Sequence, residues 1–408
     1  MKKFMDWLEN KFAPALQKVT NYTWIVVIKD SLMQILPFIL VGSIFCCLAI
    51  VYGGFWTPFG WTMSKISLMV AFLIPFNYCE KKRFRKQRLL AGITGLILFM
   101  IFVNPETLEE AGQGHALYGA NGMFVAMFAG VVSGLVFGAF AKFSFFKEDS
   151  VIPDFVRQWF DALLPIALLV IGGWVLVDIL GLDIAGGIQA IFTPLGTIAN
   201  SFPGLVIICF LYCFIYSMGI STWVLTPMSE PVKVQNIANN LALVAAGTAT
   251  TANLSLFTET TLYTCYLWIG GIGATLSLVI LMCFSKSKEL NALGKACLVP
   301  GIFNINEPVI FGAVAWNPLL MVPMWLQGII LPIMLWVFTK IIPLAPIPHI
   351  QFELWYCPYP ISTWISTQGS IMGVLFAIAQ FVVSGLIWYP FLKAYEKEKL
   401  AEEAAAAE

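Results

Sequence analysis

Residues 31–52 read SLMQILPFILVGSIFCCLAIVY, a run without one Asp, Glu, Lys or Arg. A helix of roughly 20 apolar residues crosses a bilayer core about 30 Å thick, so this run is long enough to span. Apolar runs recur at 66–79, 89–103, 122–141, 162–180, 202–219, 262–284, 319–341 and 371–392. The composition points the same way. Of 408 residues, 59% are hydrophobic and 11% charged, against about 25% charged in an ordinary soluble domain. So few charges exclude a soluble enzyme, a disordered chain and a nucleic-acid binder. The pattern predicts an all-α polytopic membrane protein in contact with the lipid bilayer.

The net charge is zero, so its distribution carries the information. Basic residues crowd 80–88 (EKKRFRKQR), Lys142, Lys147 and Arg157, the run 286–295 and the tail after Lys393. The loop 104–121 has Glu106, Glu109 and Glu110 and no base, and 181–201 has only Asp183. Basic loops face the cytoplasm. This places both termini inside and the loops near 110 and 190 outside. Phe4, Leu8, Phe12 and Leu16 recur every four residues opposite Lys3, Asp6, Glu9 and Lys18. That is an amphipathic helix, suited to the membrane surface or to packing on another subunit. The nine cysteines have no metal or disulfide spacing and read as small buried hydrophobes.

Three stretches are neither apolar enough for a plain span nor polar enough for a loop: 219–262, 295–318 and the Pro- and Trp-rich 343–369. Irregular backbone at membrane depth survives only where protein buries it or where it lines a cavity. The first two are therefore expected to be re-entrant hairpins. The expected division is 1–180 as amphipathic helix plus scaffold and dimerisation helices, 181–201 as a connection, 202–392 as the substrate-carrying part and 393–408 as a polar cytoplasmic tail.

Between residues 200 and 380 only ten Asp, Glu, Lys or Arg occur, and an intramembrane charge is a functional suspect. Asn304-Ile305-Asn306-Glu307-Pro308 sets a carboxylate beside two amides in an apolar context. Such groups can bond sugar hydroxyls, or Glu307 can cap a helix. Glu230 and Lys233 are three apart and can pair on one helical face, or form a solvated gate. Glu259 can cap the following helix or face a cavity. Glu353 beside Trp355 suits a sugar path, because aromatic faces stack on pyranose rings. Asn239 and Asn240 are further candidates to line it.

The run GIFNINEPVIFGAVAWNPLLMVP (301–323) resembles the signature of the membrane (IIC) components of the phosphoenolpyruvate-dependent phosphotransferase system, in its lactose/cellobiose/diacetylchitobiose branch. LYGANGMFVA (117–126) and the 343–367 stretch, with Trp355, Pro358, Ile361 and Ser362, are similar to further family segments. The resemblance covers nearly the whole chain. It implies a homodimer of ten-helix subunits joined by their N-terminal halves. The C-terminal half would move a disaccharide across the bacterial plasma membrane. A phosphocysteine on a separate IIB protein would then phosphorylate the sugar 6-hydroxyl, with Glu307 at the family glutamate bonding that hydroxyl.

The family also carries a histidine, in Gly-Ile-His-Gly. This chain reads Gly219-Ile220-Ser221-Thr222, so Ser221 stands in its place. A serine is not a tunable acid or base near neutral pH, although it bonds in both directions. The resemblance therefore assigns catalytic positions to Glu307 and Ser221, and Asn304, Asn306, Glu307, Glu353, Trp355, Asn239 and Asn240 are read as substrate-binding. The two histidines are His115, in the outer loop, and His349, a candidate stand-in imidazole. No Gly-rich phosphate loop and no metal-spaced cluster occurs, so neither cofactor nor metal is expected.

Overall fold

The computed structural model of the chain describes residues 7–49, 51–104, 116–146 and 153–405. Phe4, His115, Lys147 and the acidic Glu106, Glu109 and Glu110 lie outside the described residues. Helices, turns and irregular segments make up everything described, and no strand occurs among the described residues. Six described helices are long and apolar enough to cross a membrane, or seven if one bent pair counts as a span.

The first half packs as a bundle. Helices α1 (Ala13–Thr20), α2 (Thr23–Gln34), α3 (Leu36–Ala49) and α4 (Trp56–Thr62) lead into α5 (Ile66–Lys81), α6 (Arg88–Val103) and α7 (Met123–Phe140). The last three pack closely against one another, and α2 lies on α5. Small residues let them approach: a Cβ on Gly95 would fall 2.5 Å from the Ala71 carbonyl, and one on Gly130 2.9 Å from Ile74 Cβ. Close backbone approach at small residues is how helices associate where lipid removes the hydrophobic drive. Helix α8 (Asp154–Trp174) follows, and Leu163, Leu168 and Ile171 on it point outward, at 53%, 54% and 58% exposure.

The first span starts earlier than expected, since Thr23–Ala49 forms one apolar element. Lys29 and Asp30 interrupt the apolar run in the sequence but pair at 3.2 Å, which keeps them within the helix. Helix α1 packs on its own chain. Phe12 meets Phe214 edge-on at 5.9 Å, and Ala13 is buried with Ile215, Met218, Ile220 and Met321.

Segment 181–201, expected as a connection, contains helix α9 (Ile184–Ala199). Asp183, read there as loop polarity, is its N-cap and accepts from the Gly186 N–H at 2.7 Å. Helix α10 (Phe202–Ser217) follows after an 85° bend, with Ser201 as N-cap and Pro203 in its first turn.

The second half is broken. Helix α11 (Thr226–Ala245) carries a continuous polar face into the interior and forms the first limb of the stretch read as a hairpin. Residues 262–284, expected as one span, are not one. A π-helix, Thr260–Cys265, is followed by turns in which Gly270, Gly271 and Gly273 have φ of +85°, +99° and +88°. Only then does α12 (Leu276–Cys283) begin. Glycine adopts such φ values without the Cβ penalty. Helix α13 (Lys288–Ile302) runs to a tight tip at 303–306, and the short α14 (Glu307–Val309) returns from it. Helices α15 (Pro318–Trp336), α16 (Ile361–Ser366) and α17 (Ile371–Ala405) complete the chain. Helix α15 packs on α10 and α17, and α12 on α13 and α17.

The irregular segment 343–360 shows how broken backbone is satisfied here. Thr260 Oγ1 donates to the Ile350 carbonyl at 3.1 Å and Thr264 Oγ1 to the Phe352 carbonyl at 2.8 Å. Thr363 Oγ1 donates to the Cys265 carbonyl at 2.7 Å, and Tyr266 Oη to that of Pro346 at 2.8 Å. The side chains of Thr260, Thr264, Tyr266 and Thr363 thus take the place of a β-ladder, and the buried carbonyls they reach are not left unpaired.

Candidate functional site

A cavity of about 390 Å³ opens among α10, the start of α11, the glycine turns and the 303–307 tip. That volume falls within the range of small-molecule pockets. Its aromatic wall includes Trp223, Trp268 and Trp355, with Trp223 and Trp355 6.0 Å apart at 60°. Flat faces of this kind suit the C–H faces of a pyranose ring.

Glu307 lines the cavity and is exposed to it. Its carboxylate makes no hydrogen bond or ion pair with a described residue, so it does not cap the helix it begins. Ser221 lines the same cavity. The structure therefore brings together the two residues that the sequence pairs only through the family signature. Trp355 joins them in the wall.

Asn304 and Asn306 also line the cavity, but their amides are spent on backbone. Asn304 Oδ1 accepts from the Gly270 N–H at 2.8 Å, and its Nδ2 donates to the carbonyls of Trp355 and, at 3.3 Å, Cys357. Asn306 Nδ2 donates to the Ile272 carbonyl at 2.9 Å, while its Oδ1 accepts from Tyr216 Oη at 3.3 Å. The two amides latch the tip onto the glycine turns and onto the 355–357 loop. A Cβ on Gly271 would lie 2.4 Å from Asn306 Cγ, so glycine there is required by space as well as by φ. The Asn-x-Asn spacing thus positions Glu307.

Three expected site residues lie elsewhere. Asn240 is fully buried and donates to the carbonyls of Ser255 and Pro348 at 2.9 and 3.1 Å, which is a backbone staple. Asn239, one position earlier on the helix, faces outward and is exposed. Glu353 is fully buried behind the wall, held by Gln351 Nε2 at 2.9 Å, and does not line the cavity. His349 also does not line the cavity.

Two lining residues were missed as a unit. Lys233 Nζ lies 2.8 Å from Glu230 Oε2 and also bonds Glu259 Oε2. All three are about 95% buried. Lys233 and Glu259 reach the cavity, and the Lys233 ammonium sits 5.4 Å from the centre of the Tyr263 ring. The i,i+3 spacing of Glu230 and Lys233 shows in the sequence, but their pairing with Glu259 is made by the fold.

The profile of the phosphotransferase system EIIC family matches residues 29–328. The chain belongs to that family. Over 99% of its length this EIIC chain is 27% identical to the PTS system lactose-specific EIICB component of Staphylococcus haemolyticus, of which the match covers 72%. It is 26% identical to the PTS system cellobiose-specific EIIC component of Geobacillus stearothermophilus, across 99% of the chain and 97% of that protein. Its fold matches the crystal structure of the transporter ChbC, the IIC component from the N,N'-diacetylchitobiose-specific phosphotransferase system. The TM-score is 0.86 at 26% identity, covering 98% of this chain and 99% of that one. Family and apolar helices together make this EIIC chain a multi-pass protein of the bacterial plasma membrane.

Proposed function

We propose that this EIIC chain is the sugar permease of a phosphotransferase system. It carries a disaccharide of the lactose, cellobiose or diacetylchitobiose kind and presents it to a separate, phosphorylated IIB protein. One observation carries the reading: an unpartnered carboxylate, Glu307, faces a tryptophan-walled cavity of about 390 Å³. The tryptophan faces take the apolar sides of the sugar and exclude water. Glu307 accepts from its 6-hydroxyl and takes that proton as the phosphoryl group passes from the IIB thiol to the sugar oxygen. Ser221 donates or accepts one further hydrogen bond to the same sugar.

Ten spans, a re-entrant setting for both hairpins, cytoplasmic termini and a homodimer joined through the first half belong to this reading. The outward apolar face of α8 supports the last. The test is uptake of radiolabelled cellobiose in proteoliposomes, with and without phosphorylated IIB. Uptake that requires IIB and yields sugar phosphate is expected. Binding without flux would replace the permease with a sugar sensor. A second reading rests on Ser221: with serine at the position of the family imidazole, the chain passes free sugar uncoupled from phosphorylation. Equal uptake of free sugar without IIB would establish that alternative.

A further inference from the structure

The interface between α15 and α17 buries more polar groups than it pairs. Gln327 Nε2 on α15 donates to the Ser384 carbonyl on α17 at 3.0 Å, and Gln380 Nε2 on α17 donates to the Leu331 carbonyl on α15 at 3.2 Å. Both glutamines are fully buried, yet neither Oε1 has a hydrogen-bond partner among the described residues. Trp388 is fully buried as well, and its Nε1–H is also without a partner among the described residues. Positions 380, 384 and 388 recur every four residues, so they share one face of α17.

The backbone adds to the shortage of donors. The two glutamine bonds set 327 against 384 and 331 against 380, and one turn further Pro323 comes opposite Trp388. A proline supplies no N–H to the carbonyl four residues before it. Pro323 and Pro332 in α15 and Pro390 in α17 therefore deprive the carbonyls of Leu319, Gly328 and Leu386 of their helical donors. Neither 318–336 nor 371–392 contains an Asp, Glu, Lys or Arg to complete the set. Packing beside Ser384 is loose: a Cβ on Gly385 would meet nothing of another element nearer than Ser277 Cβ at 3.8 Å.

Orphaned buried polar groups are rare in folded proteins, and ordered water is their usual partner. A cation does not fit, because the set includes an indole donor and no carboxylate. Lipid tails offer no hydrogen bonds. Water supplies both donors and acceptors, which answers two amide oxygens, the proline-freed carbonyls and one indole N–H. We propose that the seam between α15 and α17 is a water-binding site, in which ordered waters donate to Gln327 Oε1 and Gln380 Oε1 and accept from Trp388 Nε1. Ser384 ties this seam to the cavity side. Its Oγ donates to the Ala274 carbonyl at 2.9 Å, at the end of the glycine turns onto which Asn304 and Asn306 latch the Glu307 tip. Bridging water is nearly as good a partner as a direct bond, and it exchanges partners as helices shift. The seam is thus a hydrated joint behind those turns. The assignment stands on packing and does not depend on the sugar-carrying function.

The test is X-ray radiolytic footprinting of the purified full chain, in which hydroxyl radicals made from bound water oxidise the side chains beside it. Trp388 is expected to oxidise several-fold faster than Met123, which is equally buried in the first-half bundle and of comparable reactivity towards the radical. The double variant Gln327→Met/Gln380→Met nearly keeps side-chain volume and removes both amide oxygens. It is expected to cut Trp388 oxidation several-fold, with thermal unfolding checking the fold. Trp388 as unreactive as Met123, or oxidation unchanged in the folded double variant, would overturn the water site. So would equal oxidation of Phe376, buried between the rings of Tyr266 and Phe338 on the same helix, because that pattern reports helix opening. If the double variant does not fold, the comparison of Trp388 with Met123 and Phe376 in the wild-type protein decides alone.

Discussion

The two halves of the molecule solve the bilayer problem in opposite ways. In the first, α5, α6 and α7 satisfy their own backbones and pack through glycines, and every charged side chain buried among the described residues lies in the second half. There Glu230, Lys233, Glu259 and Glu353 are buried, helices stop at positive-φ glycines, and threonine side chains complete the hydrogen bonding. The difference teaches where a membrane protein keeps its costly features. A charge that lipid would penalise by several kcal/mol is buried beside the cavity, whereas the bundle buries none and holds Lys29 and Asp30 as a partly exposed pair.

That contrast can be broken or sharpened by substitution. The largest effect is expected at the cavity. Glu307→Gln should lower IIB-dependent sugar phosphorylation by about 10²–10⁴-fold, the span of general acid–base help, with the unfolding temperature in detergent unchanged. A variant that phosphorylates at the wild-type rate would remove Glu307 from the mechanism. Next comes the buried ion pair. Lys233→Met leaves two carboxylates without a partner and should cost about 3–5 kcal/mol of stability, read from denaturant unfolding. A loss below 1 kcal/mol would mean that the cluster is balanced by something else.

Smaller is Ser221→His. An imidazole titrating near neutral pH beside Glu307 should raise phosphorylation by about 10²-fold, the lower end of acid–base help, with little change in sugar affinity. No gain in a folded, sugar-binding variant would show that the serine is not what limits coupling. The smallest effect belongs to the bundle. Ile74→Val in its core should cost about 0.5–1.5 kcal/mol. Leu168→Ala on the outward face of α8 should stay within about 0.5 kcal/mol unless that face is a subunit contact. Loss of a cross-linkable dimer in the latter variant would assign α8 to the interface, and an unchanged dimer would point to another surface.

How much of this could be read from residues alone follows the same division. The runs at 89–103 and 122–141 correspond to helices Arg88–Val103 and Met123–Phe140, because lipid-facing helices advertise themselves by composition. Residues 262–284 have the same mean character, yet Gly270, Gly271 and Gly273 break them. The Gly-Gly-x-Gly spacing was the available signal. At the site, residue type was legible and direction was not. Glu307 and Ser221 reach the cavity, whereas Asn240 turns its amide to the Ser255 and Pro348 carbonyls and Glu353 turns behind the wall. Lys233 and Glu259 are 26 positions apart, and nothing local announces that they meet.

The threonine bonds to the irregular 343–360 segment also set an order of events during synthesis. Thr260 waits 90 residues for the Ile350 carbonyl, and Cys265 waits 98 for Thr363. At about 5–20 residues per second, those partners emerge from the ribosome some 5–20 s apart. The bundle of the first half is fully synthesised before that interval begins. Throughout it, the carbonyl of Cys265 and the hydroxyls of Thr260 and Thr264 have yet to meet their final partners. The nascent second half therefore has to remain beside water or the insertion machinery until residue 363 has been made. In the living cell, the half that carries the cavity is the last to become safe in lipid.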